Sequence, residues 1–255
     1  MPLHIMLNIA KFEGSIQSIV NISQCQKSMR RGLQNYRLDL SVHAFTQQQI
    51  EAAARFFQII GVDITTAAAT ASSTTATNES LFQCCPNLET VVGSNTNINL
   101  NLFRHTPKIQ HIDLPGGNIT GDIAVFQHCP ELRLINCRES KKVVGDIMHL
   151  QNCSNLTSFA MLRTRVDGNT RVVREHLHNL VKFDCQSTQI TGKTSDFRFC
   201  NFLIYLRYWG SNISSFAMPS HLNGTDYSNQ YKGLEACQWL ANWSKASNAV
   251  RNYET

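Results

Sequence analysis

The chain has 255 residues, of which 42% are hydrophobic and only 16% charged, with a formal net charge of +5. That is ample length for a sizeable core, in one large domain or two small ones. It contains neither the ~18–20-residue apolar run that spans a bilayer nor the clustered Lys/Arg run that nucleic-acid binding uses.

Residues 1–10 (MPLHIMLNIA) are apolar but lack a basic first segment and a cleavage site, so they do not read as a secretory leader. Residues 1–64 make a poorly defined N-terminal segment, and residues 1–45 show no strong period apart from a faint echo at Phe12–Ile16 of a motif that returns later. Residues 46–60 have the marks of a helix. Thr46 and Gln49 can form a capping box, Ile50, Ala53, Ala54 and Phe57 fall on one stripe, and Gly61 is a suitable stop. The stretch 65–80 is low in complexity, with no large apolar residue over 65–77, and reads as a linker.

From residue 81 to 216 the pattern changes. Six apolar anchors recur at Leu88, Ile109, Leu132, Leu156, Leu180 and Leu203, with gaps of 21, 23, 24, 24 and 23 residues. Three residues after each stands another apolar residue: Val91, Ile112, Ile135, Phe159, Phe183 and Leu206. A third apolar column follows at Ile98, Ile119, Val143, Val166, Ile190 and Ile213. A fixed period of this length marks a stacked array whose units bury their apolar faces only against one another. The alternation around the second column gives each unit one short strand, and the strands should stack in parallel. The third unit carries one extra residue near Lys141–Lys142, which reads as a wider turn. Beyond the array, residues 217–255 read as a loop and then a capping helix over 232–246, with Leu234, Cys237, Leu240 and Trp243.

The unit resembles the leucine-rich repeat family. Ile119-Thr120-Gly121-Asp122-Ile123 and Val143-Val144-Gly145-Asp146-Ile147 look like the Gly-Asp-Ile form found in plant and protist members, and Ile190-Thr191-Gly192-Lys193 is a partial copy. A Cys three residues before the anchor, at Cys85, Cys129, Cys153 and Cys200, resembles the cysteine-containing class. The resemblance implies an α/β solenoid. Its form would be a horseshoe with a parallel β-sheet on the concave face and short helices or turns on the convex side. The family usually carries Asn at a polar ladder position, occupied here by Thr96, Gly117, Ser140, Thr164, Thr188 and Ser211. Hydroxyls can serve a weaker ladder. Gly117 cannot, which leaves a gap.

The chemistry-bearing residues mostly have a structural explanation. The repeat accounts for most of the nine cysteines as small buried hydrophobes, no Cys-x-x-Cys pair suggests zinc, and thiols without a disulfide framework favour a cytoplasmic setting. The nine histidines are scattered over turns, and no nucleophile motif, phosphate loop or cofactor signature is present. Eight Asn-x-Ser/Thr triplets, at Asn21, Asn78, Asn118, Asn152, Asn155, Asn212, Asn223 and Asn242, exceed what composition accounts for and point the other way, toward a secreted or cell-surface protein.

These observations favour a non-enzymatic scaffold that binds a protein or peptide, without cofactor, nucleic acid or membrane span; the alternative is a ligand-binding ectodomain fragment of a receptor-like protein. Residues alternating away from the core would face the partner. Among them Asp113, Asn136, Arg138, Asp184, Gln186, Tyr205, Arg207 and Trp209, extended by Arg163, form the candidate contact surface. Tyr205, Arg207 and Trp209 lead it, because these residue types are enriched at interface hot spots.

Overall fold

The computed structural model describes residues 37–41, 58–64, 79 and 81–214. The strands along the chain are β1 (Arg37–Ser41), β2 (Gln58–Asp63), β3 (Thr90–Val92), β4 (His111–Asp113), β5 (Thr120–Asp122), β6 (Leu134–Asn136), β7 (Lys142–Asp146), β8 (Ser158–Ala160), β9 (Arg165–Asp167), β10 (Lys182–Asp184), β11 (Thr191–Lys193), β12 (Tyr205–Arg207) and β13 (Asn212–Ser214). Eight of them form one parallel sheet in the order β1-β2-β3-β4-β6-β8-β10-β12. The odd-numbered strands between them, β5, β7 and β9, make a second ladder, and β11 with β13 a third. Each turn of the coil therefore crosses two ladders, with a 3-10 segment or, in one rung, the α-helix α1 (Arg171–His176) on the return. This is an α/β solenoid of the kind the repeat pattern implies. Among the described residues no helix is long and apolar enough to cross a membrane.

The three apolar columns are the core. Every one of their eighteen side chains is buried, from Leu88 at 0% exposed to Ile213 at 8%. Full burial of an aliphatic or phenyl side chain stabilises by roughly 1.5–3 kcal/mol, and here each residue buries itself against the equivalent residue one rung away. A further column lies six residues before the anchors. Phe82, Phe103 and Phe126 run down it with ring centroids 5.0 and 5.6 Å apart. Phe183 packs between Phe159 and Phe197, at 4.8 and 5.0 Å. The six cysteines of the repeat are buried too. Cys153 Sγ donates to Phe126 O at 3.4 Å and Cys200 Sγ to Leu177 O at 3.4 Å, so the thiols tie one rung to the one before. Burial pushes them up to about 12, which keeps them protonated.

Two expectations need correcting. Residues 58–60, placed at the end of a helix over 46–60, form strand β2 instead, and Gly61 lies inside that strand and does not stop a helix. Ile59 and Val62 are buried, and Gly61, Val62 and Asp63 pair with Thr90, Val91 and Val92. A parallel ladder with a long apolar partner outweighs a local helical stripe. The main sheet thus begins on the N-terminal side of the 65–80 stretch. The rest of that helix, the Phe12–Ile16 echo and the capping helix over 232–246 lie outside the described residues.

The hydroxyl column also behaves differently. Thr164, Thr188 and Ser211 donate to the carbonyls three residues earlier, at 2.8, 2.7 and 2.5 Å, and so close their own turns without bridging rungs. Only Ser140 reaches back, to Gly117 O at 3.4 Å. Thr96 Oγ1 is buried with no hydrogen-bond partner. The extra residue at Lys141–Lys142 is absorbed where Val143 N donates to Ser140 O at 3.0 Å.

What locks the rungs in register is the second ladder. Asp122 and Asp146 each cap the following 3-10 turn, accepting from Ala124 N at 2.8 Å and Met148 N at 2.7 Å. Such a cap contributes about 1 kcal/mol. Each carboxylate then lies under a glycine of the next rung. Gly145 and Gly168 have φ of +118° and +102°, and a Cβ on either would overlap the carboxylate of Asp122 or Asp146. We expect Gly168→Ala to lower the urea unfolding free energy of the full chain by about 2–4 kcal/mol, from left-handed strain and steric overlap together. Arg165→Ala, exposed on the same rung, should change it by less than about 0.5 kcal/mol. Equal small effects would show that the close approach is not a constraint.

Candidate functional site

Parallel pairing without register shifts from β3 to β12 converts sequence alternation into columns across the sheet. Phe183 points into the core, so Lys182 and Asp184 stand on the opposite, concave face. One outer column runs His111, Leu134, Ser158, Lys182, Tyr205 and the other Asp113, Asn136, Ala160, Asp184, Arg207. Strand spacing brings column neighbours to about 4.8 Å.

These neighbours interact as their chemistry dictates. Asn136 Nδ2 donates to Asp113 Oδ1 at 2.7 Å. Lys182 Nζ lies 5.1 Å from the centroid of the Tyr205 ring, and the Arg207 guanidinium 4.7 Å from the same centroid. Both are cation–π distances. Asp184 is fully buried, accepts from Gln186 N at 3.4 Å through Oδ1, and has no hydrogen-bond partner for Oδ2. Burial raises its carboxyl above the usual carboxylate range, against the pull of Arg138, Lys182 and Arg207. Lys182 is lowered by burial and then by Arg138, and the Tyr205 hydroxyl is pushed up to about 12 by burial. At the N-terminal end of the face, burial and then Arg133 lower His111.

The structure therefore brings together Asp113, Asn136, Arg138, Asp184, Tyr205 and Arg207 from the sequence-derived set. It adds Lys182, which the register placed on this face but whose stacking on Tyr205 needs the neighbouring strand to be seen. Gln186 sits at the strand exit, half-buried. Trp209 is 67% exposed. Arg163 does not extend the cluster. It occupies the turn after β8 at φ +58°, and its guanidinium pairs with Glu139 at 3.2 Å. The side chain is 61% exposed there, where such a pair contributes little.

An open cleft of about 600 Å³ lies on the second and third ladders, lined by Asp146, Asp167, Asn169, Thr191 and Asn212 among others. Its best polar groups are already engaged. Asp146 caps Met148 N, and Asn169 Oδ1 accepts from Arg171 N at 2.9 Å. Among the described residues no three His, Cys, Asp or Glu side chains converge on a point where a metal could sit.

No family model matches the sequence, and no curated protein sequence does. Solved structures do match. The internalin InlF of Listeria monocytogenes superposes with a TM-score of 0.52 at 13% identity, over 71% of this chain and 51% of that one. The leucine-rich repeat protein LIC12759 of Leptospira interrogans covers 78% of this chain and 55% of its own, at 14% identity and a TM-score of 0.47. The chain has the leucine-rich repeat fold. A plant peptide hormone receptor, RGFR1 in complex with RGF2, is similar at 0.50 and 13% identity, over 76% of this chain and 33% of that one. The leucine-rich repeat chain thus spans about half of the internalin and a third of the receptor. At these identities the likeness is one of fold.

In this leucine-rich repeat sheet, Asp184 is the energetically exceptional residue, because an unpaired buried carboxylate oxygen is costly. The sign of its shift fixes the pH behaviour. A carboxyl raised in the folded state costs nothing at acid pH, and its penalty grows as pH climbs through and above the ordinary carboxylate range. Asp184→Asn should therefore raise the urea midpoint at pH 7, and by less at pH 3.5. Asp196→Asn should lower the unfolding free energy by about 1–3 kcal/mol, since Asp196 Oδ2 accepts from Thr170 Oγ1 at 2.6 Å and Lys193 N at 3.2 Å. A lowered midpoint for Asp184→Asn at pH 7 would show that its carboxylate is satisfied.

Proposed function

We propose that this leucine-rich repeat chain is a non-enzymatic scaffold that binds a protein or peptide through the concave face of its main sheet. The supporting observation is the group of Asp113, Asn136, Lys182, Asp184, Tyr205 and Arg207 on strands β4 to β12, with Arg138 just after β6 and Trp209 exposed just after β12. A broad sheet face offers contact area, and Arg, Tyr and Trp are the residues that concentrate binding energy at interfaces. The group suits recognition better than catalysis. Its titration shifts follow from burial, and the six buried thiols are held protonated and so cannot serve as nucleophiles. Six thiols packed as core residues support a reducing, cytoplasmic setting.

The receptor-like alternative draws on one observation. Asn118 and Asn212 are exposed and stand at the same position of their rungs, just before Ile119 and Ile213. Asn152 and Asn155 instead donate to Gln127 O at 3.1 Å and Pro130 O at 3.3 Å, which gives their amides a structural role. Glycan mass on Asn118 or Asn212 in protein from its own cells would favour the ectodomain reading.

The scaffold reading is tested by capture of partners on the immobilised full chain and on an Arg207→Ala/Trp209→Ala variant of equal stability. Proteins held by the wild type should fall to background on the variant. Retention of every captured protein at wild-type levels would reject the concave face as the contact.

A further inference from the structure

The second ladder breaks off in the rung of α1, where an α-helical turn replaces the 3-10 segment. Between β9 and β11 only the isolated bridge of Asn169 with Thr191 remains. The open cleft of about 600 Å³ lies over this break and runs from Asp146 on β7 to Asn212 on β13. Three strand intervals make it about 14 Å long. Two of its polar side chains hold the walls. Asp146 Oδ1 accepts from Met148 N, and Asn169 Nδ2 donates to Thr191 Oγ1 at 3.2 Å. The side chains of Asp167, Gln189 and Asn212 are exposed and make no hydrogen bond or ion pair among the described residues. Gln189 N donates to Val166 O at 3.0 Å and Asn212 N to Ile190 O at 2.9 Å, which sets these three on consecutive rungs. Met148, 36% exposed, and Gly168 give the lining its apolar part.

From this donor and acceptor set we infer that the cleft binds a pyranose sugar through two neighbouring hydroxyls, one between Asp167 and Gln189 and the next between Gln189 and Asn212, with the ring's C–H face on Met148. A hydroxyl donates one hydrogen bond and accepts others, so it needs an acceptor and a donor beside it. A carboxylate next to an amide is such a pair, and two amides are another. Other ligand classes fit less well. An anion would meet Asp146 and Asp167 with no Lys, Arg or His in the lining. A metal ion would find two carboxylates, one of them spent on its cap, and no third His, Cys, Asp or Glu converging with them. An organic cation would suit the carboxylates, but Arg165 and Lys193 are exposed two residues from Asp167 and Thr191, on the same strand faces, and offset them. An apolar ligand would strip water from three polar side chains and replace none of their hydrogen bonds. A neutral polyol replaces them all.

The test is saturation-transfer difference NMR on the full chain, with glucose, galactose, mannose and their methyl glycosides as probes. At least one probe should receive saturation. Asp167→Ala should weaken its titrated affinity by about tenfold, from loss of a charge-assisted hydrogen bond, and Gln189→Ala/Asn212→Ala by about as much. Arg207→Ala/Trp209→Ala, on the concave face, should leave it within about twofold. Asp167, Gln189 and Asn212 are exposed, so their variants should keep the wild-type urea midpoint. Should Asp167→Ala shift that midpoint, the Gln189→Ala/Asn212→Ala pair reads the same site.

The two forms of each probe separate the sources of such a ring. Binding of a methyl glycoside supports a sugar residue within a chain, whose anomeric oxygen is substituted in the same way. Binding of the unsubstituted sugar alone supports a free sugar. No transfer to any probe, affinity unchanged by both Asp167→Ala and Gln189→Ala/Asn212→Ala, or equal loss on Arg207→Ala/Trp209→Ala would each overturn the inference. Displacement of the bound sugar by spermine at equal concentration would do so too, since the cleft would then be a cation site. None of these outcomes except loss on the concave-face variant bears on the scaffold reading, whose own test stands on that variant and on captured proteins.

Discussion

A coil of short parallel strands has little to hold any single turn in place, because three residues of strand make too few hydrogen bonds to fold alone. The turns of this chain are fixed to one another by a close approach repeated on the second ladder. A capping carboxylate from one rung fills the space that the next rung's glycine leaves open, at Asp122 under Gly145 and Asp146 under Gly168. Asn99 under Gly121 is the same contact with an amide, 2.7 Å from where a Cβ would stand. One side chain thus ends its own 3-10 turn and sets the distance to the following strand. The apolar columns supply the driving force, and this contact chooses the register in which they meet.

The concave group inherits that register. Asp113 reaches Asn136, and Lys182 reaches Tyr205, only because equivalent positions on adjacent strands stand side by side. A slip of one residue would turn Phe183 outward and Asp184 into the core. The electrostatics follow from the same geometry. On a twisted exposed sheet a lone carboxylate would be hydrated, but Asp184 has Lys182 two residues earlier, Arg207 on one neighbouring strand and Arg138 beyond the other. These side chains are long enough to shield it from water, and their charge keeps it from being prohibitively costly.

The main columns could be read from the sequence because each of the three repeats six times, and a burial requirement tolerates only a few residue types. The column through Phe82, Phe103 and Phe126 was harder to see. It passes through Leu150 and Val173 before returning at Phe197, and its residues lie on turns whose period is irregular. Strand β2 was missed because Ile50–Phe57 makes a convincing helical stripe, and pairing with β3 is a long-range fact. The turn residues Asn95, Gly116, Glu139, Arg163, Ser187 and Gly210 all share a positive φ. Asn and Gly advertise that conformation, whereas Glu139 and Arg163 disguise it. Most of the concave group follows from counting two residues at a time along each strand. The depth of Asp184 and its unpaired oxygen depend on side chains three strands apart, and no pattern within one repeat records them.

Amide hydrogen exchange on the full chain, resolved to single residues, probes the stacked-rung account most directly. Slow exchange should recur at the repeat period through Ile112, Ile135, Phe159 and Phe183. It should also reach Ala124 and Met148, whose amides would exchange freely in ordinary loops but are held here by Asp122 and Asp146. Protection confined to one unrelated segment, or rapid exchange at Ala124 and Met148 while the strands stay protected, would contradict the interlocked coil.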